Sequence, residues 1–233
     1  MTTVIAVTAR KRVGRLTDRL ITPLQKGYLK DQSHAVAALA RLRRGAGREF
    51  ARTPDLWGLA DTGPLHEVPE SGRPLGEVEL TRAEDALHVA LTLWALHQQS
   101  RGTGMHRPGS RTAPHALGSA VRRLMPPGDM DEPVLKRFVR VGTATDLPAL
   151  AQRLREVVVL LRGADIPLDY ALLAEQLYRW QETGGRDEVR RAWGRSFHAH
   201  RAPRPTGTGT PSDAAGAPAT ADDTTDLTDK DAS

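Results

Sequence analysis

The chain contains no cysteine. That excludes a disulfide framework, a thiolate zinc site and a cysteine nucleophile. Only 4% of its 233 residues are aromatic, which leaves few rings for a surface that stacks bases. No apolar run approaches the roughly 18–20 residues of a membrane span. The opening "MTTVIAVTARKR" places its charges after the apolar part, the reverse of a secretory leader. Together these absences lead to the expectation of a cytoplasmic protein with no membrane contact.

Catalytic signatures are missing too. There is no G-x-x-x-x-G-K-[ST] phosphate loop and no H-E-x-x-H pair of metal ligands. The acids lie mostly at helix starts, where capping explains them, rather than in a cluster that would hold a catalytic metal. The expectation is a protein that is not an enzyme, with no cofactor and no metal. His97 and His106 are the one candidate for a general acid/base pair, as in metal-independent ribonucleases. The simpler reading makes His97 a packed helix-end residue and His106 a donor to phosphate. His198 and His200 suggest a fraying helix end more than a metal site, and Trp180 and Trp193 fall in register with apolar stripes, as core residues do.

The most informative absence is that of acids from three stretches. None occurs between Asp85 and Asp129, where Arg101, Arg107, Arg111, Arg122 and Arg123 sit with four histidines. None occurs between Asp31 and Glu49, which holds Arg41, Arg43, Arg44 and Arg48, or between Glu132 and Asp146, which holds Lys136, Arg137 and Arg140. Solvated faces ordinarily mix both signs. Cations near helix C-termini offset the helix dipole, but that does not remove the acids. Three such blocks suggest a phosphate-binding surface. In "LHQQSRGTGMHRPG", Gln98, Gln99, Ser100 and Arg101 then read as donors at a helix end. Gly102 and Gly104 read as sites of close backbone approach to a ligand.

Charge is also divided along the chain. From Ala202 onward two basic residues face six aspartates in a Pro/Gly/Thr/Ala-rich tail, so the body through Arg201 carries +9 of a net +5. Such a tail reads as disordered.

What is abundant is helical. Alanine and leucine favour helices over sheet, and apolar residues recur at spacings of three and four. Leu16, Leu20, Leu24 and Tyr28 form one stripe, with a kink expected at Pro23. Ser33 is placed to cap a helix that stops near Gly45. Thr81 and Glu84 read as a capping box opening a helix with two stripes, Leu87, Ala90, Leu91, Trp94 and Val89, Leu93, Leu96, and hence a central one. Asp131 with Pro133, Asp146 with Pro148, and Asp169 mark three later helix starts. The first of these carries Leu135, Phe138 and Val139. Gly184-Gly185 precede a last helix with Val189, Trp193 and Phe197. Period-two alternation is confined to "TVIAVT". The expected fold is all-α, two small packed helical bundles: a flexible arm over 1–12, a bundle over 13–125 with a proline-rich insert near 52–79, a second bundle over 126–201 after Pro126-Pro127, and a disordered acidic tail over 202–233.

The segments "AVAALARLRRGAG", "PDLWGL", "ALHQQSRGTGMHRPG", "ALGSAVRRL", "LKRFVRVGTATDLPALAQRLREVVVLLRGADIPLDYALLAEQLYRWQ" and "VRRAWGRSFH" resemble, in order, the CasB family, the small subunit of the type I-E CRISPR surveillance complex Cascade. The similarity runs from about Val13 to His198. It implies an all-helical, non-enzymatic subunit that sits beside the backbone and large subunits with a second copy of itself, near the guide RNA–target DNA hybrid. Its basic surface would stabilise the R-loop by holding the displaced single-stranded DNA, in antiviral defence. Sequence would be read by the guide. Carried over by motif, the candidate nucleic-acid contacts are Arg41, Arg44, Arg101, Arg107, Arg122, Arg123, Lys136, Arg137 and Arg140. A ribonuclease using His97 and His106 and a helical transcription regulator are the alternatives from other classes.

A chain ended after Arg201 should melt at the same midpoint as the whole protein, because the tail has almost no apolar side chain to bury. Its affinity for single-stranded DNA should rise slightly, as an internal competitor for the basic surface is gone. Calorimetry and a filter-binding titration check the two halves.

Overall fold

In the computed structural model, residues 8–56, 58–68, 73–110 and 115–199 are described, without the side chain of Ala51. The acidic tail, the arm before Thr8, Arg111 and His200 lie outside them. The described residues form nine α-helices, with two 3-10 turns at Phe50–Arg52 and Pro54–Leu56. The order is α1 Ala9–Leu29, α2 Ser33–Arg44, α3 Gly63–His66, α4 Glu77–Gln98, α5 Leu117–Arg122, α6 Glu132–Gly142, α7 Leu147–Gly163, α8 Tyr170–Trp180 and α9 Gly185–Ala199. Among them there is no strand, only an isolated bridge between His106 and Leu168. The fold is all-α.

Helix α4 packs against α1, α2, α7 and α8. Every residue from Ala86 to Gln98 is buried, so both expected stripes face protein. Trp94 is fully buried, and its Nε1 donates to Gln25 Oε1 at 3.3 Å. Two polar residues of this stretch find partners inside: Thr92 Oγ1 donates to the His88 carbonyl at 2.8 Å, and His88 Nε2 meets the Arg48 carbonyl at 3.1 Å.

The helix starts follow the sequence where an aspartate caps. Asp131, Asp146 and Asp169 accept from the backbone N–H of Val134, Ala149 and Leu172 at 2.9, 2.7 and 2.9 Å, which satisfies donors the helix itself leaves orphaned. Other starts differ. The helix expected to open at Thr81 begins one turn earlier, where Glu79 folds back to accept from the Gly76 N–H at 3.0 Å. Thr81 is an interior residue donating to the Glu77 carbonyl. Ser33 is the first residue of α2 rather than its cap, which is Gln32 without a side-chain bond. The arm expected through residue 12 is helical from Ala9, because Thr8 accepts from the Lys11 N–H. Lys11 then reaches Glu175 on α8, with Nζ 2.7 Å from Oε2. Pro23 sits inside α1 without ending it. The buried side of α1 is Val13, Leu16, Thr17 and Ile21, with Leu20, Leu24 and Tyr28 at its edge.

On α7, Leu150, Ala151, Leu154, Val157, Val158 and Leu161 are buried, and Trp180 and Trp193 lie in the core. On α6 only Val141 is fully covered. Phe138 stacks on Phe197 with ring centroids 5.4 Å apart, and Val139 is 54% exposed. Pro126-Pro127 does fall between α5 and α6, yet helices from both sides of it share one core: α1 and α4 pack on α8, and α5 packs on α9. The last contact is backbone-close. A methyl at Gly118 would overlap the Trp193 carbonyl and the Phe197 N–H.

Trp94→Ala should cost about 3–5 kcal/mol through the cavity it leaves. Gly118→Ala should cost about 1–3 kcal/mol by forcing α5 off α9, although alanine is the better helix former. Urea unfolding of the two variants measures both; an unchanged midpoint for Gly118→Ala would show that the crossing is looser than its geometry.

Candidate nucleic-acid interface

The stretch from Gln99 to Gly109, linking α4 towards α5, is held from within. Gln98 is fully buried at the end of α4 and clamps the loop it precedes. Its Nε2 donates to the carbonyls of Arg101 and Thr103 at 3.2 and 2.9 Å, and its Oε1 accepts from the Met105 N–H at 2.9 Å. Gln25 of α1 grips His106 from the other side, donating to its carbonyl at 3.0 Å and accepting from its N–H at 2.8 Å. The bridge adds Leu168 N–H to the Met105 carbonyl and Arg107 N–H to the Leu168 carbonyl, at 3.0 and 3.2 Å. Ser100 takes the left-handed conformation, and its N–H reaches the Tyr28 hydroxyl at 3.0 Å. Gln99 accepts from Arg162 at 3.0 Å. The Gln98 amide and the Ser100 N–H are therefore spent on the protein itself, and Gln99 is engaged through its oxygen. Gly104 admits the Gln25 amide rather than a ligand, while Gly102 has open space.

The two histidines are internal. His97 is fully buried, and its Nδ1 lies 3.0 Å from the Tyr170 hydroxyl. Burial, the largest cause, depresses its pKa to about 3, with Arg162 and Arg101 adding to the shift. Its Nε2 makes no well-formed hydrogen bond, although the Leu161 carbonyl lies near enough to oppose part of that shift. The His106 side chain is only 1% exposed. Its Nδ1 accepts from the Tyr170 N–H at 3.1 Å, so the proton rides on Nε2, 3.0 Å from Asp18 Oδ1. With both nitrogens occupied, it is not the phosphate donor the sequence implied.

The missing acids return in three dimensions. Arg101, which has no carboxylate nearby in sequence, pairs with Asp165 after α7 at 2.9 Å. Lys136 pairs with Glu132 one turn back at 2.8 Å, and Arg140 with Glu156 on α7 at 3.6 Å. These last two pairs are exposed and weak. Arg123 is half-buried. It donates to the Pro167 carbonyl at 3.0 Å and approaches His115, and burial followed by the charge of Arg107 lowers its pKa. It is built into the α5 end as a structural donor. Arg41, Arg122 and Arg137 each donate to a backbone carbonyl, of Asp55, Pro126 and Pro133, and keep an uncompensated charge. Arg44 and Arg107 are exposed, and their side chains have no partner among the described residues. The three blocks sit on different helices: α2 packs on α1 and α4, whereas α6 packs on α7. What the fold brings together is Arg107, Arg123 and His115: burial first, then the charges of Arg123 and Arg107, lower the pKa of His115.

A fourth set of cations escaped the sequence reading. Arg15, Arg19, Lys26 and Lys30 are exposed, unpartnered among the described residues, and at helical spacings that put them on one side of α1. At 1.5 Å per residue they span about 22 Å. The signal was present as i, i+4, i+11, i+15, but the nearby acids Asp18 and Asp31 masked it. Asp18 is the acceptor for His106. Among the described residues no group of His, Asp or Glu could hold a metal ion, and no helix is long and apolar enough to cross a membrane.

Residues 38–198 match the family model described as CRISPR-associated protein Cse2. Among solved structures, CasB from Thermobifida fusca is 49% identical, covering 83% of this chain and 99% of that one at a TM-score of 0.71. A chain of a CRISPR RNA-guided surveillance complex is similar in fold, with 19% identity, 80% of this chain and 96% of that chain covered, and a TM-score of 0.54. No curated protein matches.

The depressed pKa of His97 makes stability depend on pH. The unfolded ring takes up a proton as pH falls through about 6.5, and the folded ring does not until about 3. Stability should therefore fall with pH across that window, by up to about 1.4 kcal/mol per unit. Urea midpoints from pH 7 to pH 4.5 should decline, and His97→Gln should flatten the decline.

Proposed function

The chain belongs to the CRISPR-associated Cse2 family, and from that premise we propose that it is a non-catalytic subunit of an RNA-guided surveillance complex that holds nucleic acid on its exposed cations. Its partners are the other subunits of a Cascade-type assembly, a second copy of itself, the guide–target hybrid and the displaced DNA strand, whose capture stabilises the R-loop. The observation that carries the reading is that Arg15, Arg19, Lys26, Lys30, Arg44 and Arg107 are exposed with no internal acid among the described residues. Such charges repel one another in the free protein and gain by meeting phosphate, where each contact releases counterions. Arg41, Arg122, Arg137, Lys136 and Arg140 add charge at the margin. Arg101 and Arg123 act by shaping the loop that presents Arg107. A ribonuclease using His97 and His106 fits less well, since the nitrogens that chemistry needs are buried and His106 has both of its own engaged.

The isolated protein should bind single-stranded DNA weakly and without sequence preference. If four to six phosphates are neutralised, log K should fall against log salt with a slope of about −3 to −4. Reversing Arg15, Arg19 and Lys26 to glutamate together should cost at least about tenfold in affinity, as losing several phosphate contacts does, with helicity retained. A slope near zero, strong preference for one sequence, or cleavage of the probe would defeat the reading.

A further inference from the structure

A cleft of about 290 Å³ opens between the 3-10 turn at Phe50, the first half of α4 and the start of α7. Phe50, Val89, Leu147, Pro148 and Ala151 give it apolar walls, and Asp85 lines it from α4. Three of the other side chains around it are committed, whereas the Arg48 guanidinium at the rim has no partner among the described residues. Thr81 Oγ1 donates to the Glu77 carbonyl at 3.0 Å, and Gln181 Nε2 to the carbonyls of Arg82 and Leu177 at 3.0 and 3.2 Å. His88 Nε2 faces the Arg48 carbonyl. The Asp85 carboxylate has no hydrogen bond or ion pair among the described residues. Its pKa is raised, first by burial and then by the charges of Glu84 and Glu49. Arg52 pairs with Glu49 at 3.1 Å, and His66 lies 3.7 Å from Glu84. In a chain of net charge +5, this is a site of the opposite sign.

A partly buried carboxylate without a donor is costly, and its complement is a cation carried on an apolar stem. Phosphate is repelled by such a floor, so the cleft does not extend the cationic surface. We propose that it receives one arginine side chain from a partner polypeptide, with the aliphatic stem against Phe50 and Leu147 and the guanidinium on Asp85. Arginine suits it better than lysine, since its forked donors match both carboxylate oxygens and its planar head stacks on a ring. One small chain thus separates two kinds of contact, nucleic acid on its cations and a protein neighbour at Asp85.

The test uses the full chain, isotopically labelled, titrated with acetyl-arginine-methylamide at physiological salt and followed by amide chemical shifts. Saturable shifts at Asp85, Val89 and Ala151, with a Kd on the order of millimolar, are expected. The neutral citrulline analogue should bind at least about tenfold more weakly, the loss expected when a charge-assisted bond is removed. Asp85→Asn should abolish the arginine response and leave the melting point equal or higher, because an unpaired carboxylate has been neutralised. Shifts that persist in Asp85→Asn, or that scatter over other acids, overturn the proposal. A marked fall in the melting point of Asp85→Asn overturns it as well, since the carboxylate would then already be paired within the chain, with Arg48 at the rim as the available cation.

Discussion

A helix with no solvent-facing side must find partners for its polar groups inside the protein, and that requirement organises this molecule. From Ala86 to Gln98 helix α4 is covered, and four of those residues are polar. Thr92 and His88 are satisfied within and beside the helix. His97 and Gln98 lie where the helix runs out, so their partners come from elsewhere: Tyr170 of α8 for the one, the backbone of the following loop for the other. Burial of the helix end therefore dictates the shape of the loop. That shape places His106 between Asp18 and the start of α8, tying α1, α4 and α8 at one point.

The same economy governs the charges. Cations that fold back on carbonyls or acids, such as Arg12 on the carbonyls of Pro64, Leu65 and Glu67 and Arg179 on Glu188, act as long-armed braces between segments. Others, on α1 and at the ends of α2 and the α4–α5 loop, touch nothing of opposite sign. A net charge does not separate the two kinds. Only the tertiary partners do, and they leave a smaller and differently placed cationic surface than the composition implies.

The helices and their inward faces were legible in the sequence wherever periodicity was long and a capping aspartate stood at the start, as for α7 and α8. Boundaries went astray where a cap was glycine backbone answered by Glu79, or where two readings competed, as for Ser33. At the site, the motif around Arg101 and Arg107 was visible as a pattern but not as a function. Asp165 and Glu156 lie far along the chain from the arginines they neutralise, and spacing in sequence carries no information about such pairs. The stripe on α1 was readable in principle. It was hidden because two neighbouring aspartates made the segment look balanced, although the one at position 18 serves a histidine across the fold.

Helix α1 is synthesised before α8, on which it rests, and Lys11 and Glu175, which meet there, are 164 positions apart. At elongation rates of roughly 5–20 residues per second, on the order of ten seconds separates the emergence of the two. During that interval Val13, Leu16 and Ile21 lack the surface that finally covers them. Closing so long a loop is slow, and it exposes apolar surface to wrong partners while it waits. Like charges oppose association, so the exposed cations along the other side of α1 work against aggregation of that segment while its apolar side waits for α8.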